Sequence, residues 1–138
     1  MTTNTIVARF RDGRTLKGTT LNVDPAKPTF HLRIDDRVEE IKLADLKALF
    51  FVKNLSGNPA HNEAQAPTAG DVRLVGGRKI AIQFEDGETI VGMSNRFPPL
   101  GTCFFMLPID PKSNNIRILV NRIATSSIVD ASQLTIRA

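Results

Sequence analysis

Phe84-Glu85-Asp86-Gly87-Glu88-Thr89-Ile90-Val91-Gly92 repeats an earlier stretch of the chain, Phe10-Arg11-Asp12-Gly13-Arg14-Thr15-Leu16-Lys17-Gly18. The offset, 84 − 10 = 74, also carries Ile6 onto Ile80, Phe30 onto Phe104 and Asp36 onto Asp110 with no gap between them. The chain is therefore a duplication, and whatever the first copy forms the second must form again. For 138 residues this favours two small units, residues 1–55 and 72–138, over one ordinary domain. Between them, residues 56–71 are rich in Gly, Pro, Ala and Asn and offer almost nothing to bury, so they read as a linker.

Within each copy the periodicity is that of strands. Ile6, Ala8 and Phe10 alternate with Val7, Arg9 and Arg11, and Ile80, Ile82 and Phe84 alternate with Ala81, Gln83 and Glu85. Asp-Gly then announces a hairpin, and parity sets its length. A two-residue loop would oppose Leu16 to Arg9 and Ile90 to Gln83, mixing apolar and polar side chains on one face. A three-residue loop, Arg11-Asp12-Gly13 or Glu85-Asp86-Gly87, pairs Ala8 with Leu16 and Ile82 with Ile90 instead. It needs each Gly at positive φ. The same register sets Gly18 across from Ile6 and Gly92 across from Ile80. A strand glycine marks a bend or a close backbone approach, and its recurrence predicts a sheet that curls.

The third strand is Thr29–Ile34 in one copy and 103–107 in the other, with Asp36 and Asp110 as turn residues. Residues 38–52 allow two readings. Val38, Ile41, Leu46 and Leu49 have near-helical spacing, whereas the second copy's Ile116-Arg117-Ile118-Leu119-Val120 is alternating and β-branched. The second copy favours strand, a short 3₁₀ turn around Ala44–Lys47, and a last strand over residues 48–52.

Five short, bent strands with a 3₁₀ turn before the last resemble the SH3-like and Sm-like small barrels. The pattern Phe10, Asp12-Gly13, Leu16, Gly18, Leu21, Asp24, Leu32 is similar to the first Sm-like motif. That resemblance implies an all-β fold of two tandem small five-stranded barrels, and single-stranded RNA as a ligand. The RNA-contacting pattern is not matched, since Pro28 and Thr29 stand where an Asn is expected, no Arg-Gly pair follows Lys47, and the second copy has Asn95-Arg96 in place of the Asp. The stretch Leu46–Lys53 also resembles uncharacterised bacterial domains that accompany signalling modules. Arg33 and Arg37 have the spacing of the first PilZ motif, but Asn54-Leu55-Ser56 is followed by Pro59 where that family needs Gly.

Charge excludes little: the net is +4, divided as +3 over residues 1–56, −1 over 57–70 and +2 over 71–138. Arg9 and Arg11 share a strand face, and Arg14 and Lys17 adjoin it, so these four are the candidate phosphate-holding residues. Adjacent phenylalanines are the other feature, because alternation buries one of each pair. The second member, such as Phe50 or Phe105, together with Phe97, is assigned to the seam between units or to a partner surface. A single Cys103 leaves no disulfide framework, and His31 and His61 are unclustered, so no zinc site is expected. No nucleophile–base pair and no phosphate-cradling loop appear, hence no catalytic residue and no cofactor. No leader or membrane span is read, which points to the cytoplasm. The expectation is a non-enzymatic module that binds a protein partner, homo-oligomers included. The alternative is RNA or nucleotide binding through the basic strand face.

Overall fold

The alternation in the first copy becomes strand β1, Asn4–Phe10, in the computed structural model, which describes residues 4–21, 23–55, 78–94, 99, 101–110 and 113–131. It is followed by β2 (Thr15–Thr20), β3 (Thr29–Ile34), β4 (Arg37–Lys42), a 3₁₀ turn (Leu43–Asp45) and β5 (Leu46–Val52). The second copy repeats the order with β6 (Arg78–Phe84), β7 (Thr89–Ser94), β8 (Cys103–Pro108), β9 (Asn115–Asn121), a 3₁₀ turn (Arg122–Ala124) and β10 (Thr125–Asp130). The linker 56–71 lies outside the described residues.

Parity set the hairpins as expected. Ala8 pairs with Leu16 and Ile82 with Ile90, with Gly13 at φ 95° and Gly87 at φ 93°. Asp12 and Asp86 brace the loops by accepting from the backbone N–H of Arg14 and Glu88 at 2.9 and 3.0 Å. Each loop is tied to its own 3₁₀ turn, Arg11 N–H donating to Asp45 O and Glu85 N–H to Ala124 O, both at 2.9 Å. The segment 38–52 is strand, turn, strand, and the turn begins one residue before the expected Ala44.

Gly18 and Gly92 lie opposite Ile6 and Ile80. A Cβ on Gly18 would sit 2.2 Å from Arg33 O, and one on Gly92 2.8 Å from Leu107 O, so glycine is required because the backbone of the paired third strand approaches the second closely there.

Among the described residues the strands form one antiparallel sheet of ten, in the order β10-β6-β7-β8-β9-β5-β1-β2-β3-β4. Where the duplication led us to expect two barrels, the sheet is open and continuous. The physical reason is the pairing of β5 with β9, Leu49 opposite Leu119 and Phe50 opposite Ile118, which spends on the neighbouring copy an edge that a closed unit would keep. From Ala48 onward alternate residues of β5 then serve different cores, after a bulge at Lys47. Leu46, Leu49 and Phe51 pack with Ile6, Phe30 and Leu32, while Ala48, Phe50 and Val52 pack with Ile80, Ile82 and Phe104. The two halves thus lie against opposite faces of β5, and every residue of that strand is buried. Burial on both faces is what makes its sequence uniformly apolar apart from Lys47.

Candidate functional site

A groove of about 620 Å³ lies where the outer face of β1 and β2 meets β7 and β9. Its floor is apolar, with Val7, Phe50, Val52, Ile90 and Ile118, and its rim carries Arg9, Lys17, Glu88, Asn114 and Asn115. The groove follows from strand alternation. The inward residues of β1 are committed to the first core, so its outward ones, Val7 and Arg9, face the second half, where Val7 packs against the second core.

The structure divides the four expected basic residues. Arg9 and Lys17 line the groove; Arg11 and Arg14 instead line a shallow depression between the two hairpin loops. Each arginine of the set meets a carboxylate. Arg9 lies 3.7 Å from Glu88 and stacks over the Phe50 ring at 5.4 Å. Arg11 grips Glu85 through Nε at 2.9 Å and Nη2 at 3.2 Å. Arg14 holds Asp12 at 2.9 Å and covers the Phe10 ring at 4.4 Å. Lys17 donates to Leu55 O at 3.3 Å. The hydrogen bond from Arg11 holds the Glu85 carboxyl below its ordinary value and raises Arg11 in turn. Asp12 is also held low, first by the backbone N–H of Arg14 and then by its guanidinium.

Of the expected partner-binding phenylalanines, Phe50 is buried in the groove floor. Phe105, from the second half, packs on the first half's core with its ring 5.8 Å from Phe51. Both therefore lie at the seam, and Phe97 falls outside the described residues. Arg117, on β9, covers both Phe51 and Phe105, at 4.3 and 4.5 Å from their centroids. Cys103 is half-buried, and burial raises its thiol pKa. Among the described residues no group of histidines, cysteines and carboxylates could hold a metal.

Sequence reasoning missed Lys47. Its side chain is 9% exposed, yet its Nζ reaches across the seam to Asp86 at 2.7 Å and to Glu88, and lies over the Phe84 ring at 4.9 Å. Burial pulls the ammonium pKa down, but the two carboxylates outweigh it and the net shift is upward; the hydrogen bond from Lys47 is the first cause holding Asp86 low. Two signals were present. One was a lysine inside an apolar run. The other was the inverted charge of the hairpins, Arg11 and Arg14 in one copy against Glu85 and Glu88 in the other. Asn121 was missed as well. Its side-chain amide donates to Leu46 O at 2.9 Å and reaches Leu43 O and Ala44 O, so the end of β9 braces the first copy's 3₁₀ turn.

Fold and site together define a duplicated all-β protein whose halves are joined by strand pairing and by cross-seam ion pairs, with a groove along the join. The chain belongs to a family of unknown function, DUF6982, whose sequence profile matches residues 2–130. No curated protein and no solved structure matches the chain. Among the described residues no helix is long and apolar enough to cross a membrane.

Proposed function

We propose that this protein is a non-enzymatic binding or regulatory module that acts through protein–protein contacts in the cytoplasm. Each half is read as a bent five-strand unit of the SH3-like or Sm-like kind, opened by sharing β5 and β9. The observation that carries the binding reading is the open sheet. Among the described residues it ends in β4 on one side and β10 on the other, and each edge strand holds an exposed valine, Val38 at 54% and Val129 at 49%. Edge strands of this kind accept a further strand from a partner through main-chain hydrogen bonds. Compensation of Arg9, Arg11 and Arg14 by carboxylates supports a protein partner over a phosphate chain, because a bound phosphate would first have to displace Glu88, Glu85 or Asp12.

The second reading, single-stranded RNA or a nucleotide, rests on Arg9 and Lys17 in the groove. Selection of displayed random peptides on the immobilised protein tests the first reading. The expected result is extended peptides whose binding changes little with salt and is lost on Val129→Glu or Val38→Lys. Labelled single-stranded RNA tests the second. The expected result is no anisotropy change at low salt. Micromolar binding with a log–log salt slope near −0.7 per phosphate, abolished by Arg9→Ala with Lys17→Ala, would replace the protein reading with the RNA one.

A further inference from the structure

The seam between the halves uses two of four equivalent edges. The 3₁₀ turns lie 122 − 43 = 79 residues apart, so β4 and β9 are the fourth strands of their copies and β5 and β10 the fifth. Inside the chain the fifth strand of the first copy pairs with the fourth strand of the second. The two strands left over, β4 and β10, are the ones that end the sheet among the described residues.

We propose that the partner on these edges is a second copy of the chain, joined head to tail with β10 of one molecule antiparallel to β4 of the next. This deepens the protein-binding reading, on which it rests, by naming the occupant. The operation that carries the first half onto the second carries the second onto the first half of a following molecule, and the strand pairing transfers with it, while Lys47 and Arg117 of the seam are replaced by Ser126 and Val38.

The seam pairs Ala48 with Val120, Leu49 with Leu119, Phe50 with Ile118 and Phe51 with Arg117. Shifted by 79, it sets Ser127, Ile128, Val129 and Asp130 against Ile41, Glu40, Glu39 and Val38 of the next chain. No two like charges are opposed, as a cross-strand pairing requires. Val129 takes the place of Phe50, and its exposure of 49% against 8% is what the missing neighbour would remove. The same operation directs Glu85 toward Arg11 of the next molecule, opposite charges again, so the hairpin charges alternate along the assembly. Lys42 takes the place of Asn121, with amine donors to offer to the carbonyls of the second 3₁₀ turn. A symmetric alternative, two β4 strands paired about their midpoint, would oppose Glu39 to Glu40 of the other copy. The head-to-tail contact is heterologous, so its repetition gives a ring where the rotation closes and a filament where it does not.

Sedimentation velocity from about 1 μM to about 1 mM, a span that covers weak pairing, tests the proposal. Wild type is expected to grow with concentration from the 15.2 kDa monomer to multiples of it. Val129→Glu would oppose Glu39 of the next copy and raise the apparent Kd about fivefold or more. Adding Glu39→Lys to that variant should return it toward wild type. Val129 is half exposed, and circular dichroism verifies that each variant is folded. A chain that stays at monomer mass throughout, a Val129→Glu protein that associates unchanged, or a double variant that does not recover overturns the proposal. A monomeric wild type that still enriches displayed peptides sinks self-assembly alone and leaves the protein-binding reading in place.

Discussion

Among single residues, Gly18 and Gly92 carry the tightest constraint on the backbone. In each copy the third strand, paired with the second, comes so close to it that no side chain fits, and the two sites differ in what a new methyl group would meet. At Gly18 it meets Arg33 O at 2.2 Å, a backbone atom that cannot move without shifting β3. At Gly92 the nearest atom is Met106 Sδ at 2.7 Å, the flexible part of a thioether side chain, and the backbone atom Leu107 O stands farther off than Arg33 O does at Gly18, at 2.8 Å. Overpacking of this kind costs about 1–3 kcal/mol. Gly18→Ala is expected near the upper end of that range and Gly92→Ala nearer the lower, read from urea unfolding midpoints of the two variants at unchanged slope. Equal losses at both sites would mean that Met106 and the Leu107 carbonyl together yield no more than the Arg33 carbonyl does. The glycines were legible because the duplication printed them twice at one register. The adjacent phenylalanines pointed to the seam as one place for Phe50, but its membership of the second core was not legible, because alternation assumes a strand with one core face, and only the pairing of β5 with β9 supplies a core on each side.

Between elements, the two Asp-Gly hairpins illustrate how a duplication is kept and then differentiated. Their backbones are the same, with a glycine at φ near 95° and an aspartate bracing the loop, while their flanking charges have been inverted. Inversion lets the hairpins meet. Arg11 pairs with Glu85, and Lys47 beneath them pairs with Asp86 and Glu88. Their pH dependence follows from the direction of the shifts. Glu85 and Asp86 have folded pKa values below their unfolded ones, so both favour the native state fully above the unfolded carboxylate range, near pH 4, and lose that contribution as pH falls through the folded values. Acid unfolding followed by circular dichroism should therefore begin at higher pH in Arg11→Ala, which frees Glu85 to protonate, than in wild type. Exposed pairs are screened, and the gap between the two proteins should narrow in 1 M NaCl. An acid midpoint that ignores Arg11→Ala would show that the hairpin pair is electrostatically silent. The sequence displayed both charge sets, but their complementarity became visible only once β9 pairing with β5 had brought the second hairpin against the first.

For the whole molecule, the shared strands decide whether the duplication yields two folding units or one. Each core needs residues from the other half. Leu119 of β9 completes the first core, and Ala48, Phe50 and Val52 of β5 complete the second. A first half on its own would expose Phe50 and Val52, and a second half would lose the strand that covers Ile118 and Phe104. Small units bury too little surface to absorb such a loss. The halves should therefore unfold together, although the repeat and the linker-like composition of residues 56–71 describe two units. Urea unfolding can report on each half separately through a tryptophan, which the natural chain lacks, placed at Phe30 in one variant and at Phe84 in another. Both cores should give the same midpoint and the same slope, and that slope should match the surface exposed by the whole chain, about twice that of either half. Phe50→Ala extends the test, since it removes side-chain volume from the second core on a strand whose other face lines the first. It is expected to lower both midpoints equally, by about 3 kcal/mol of stability. If only the Phe84 reporter moved, the two cores would be separate folding units held together by an interface, and the open sheet would be an assembly of two domains.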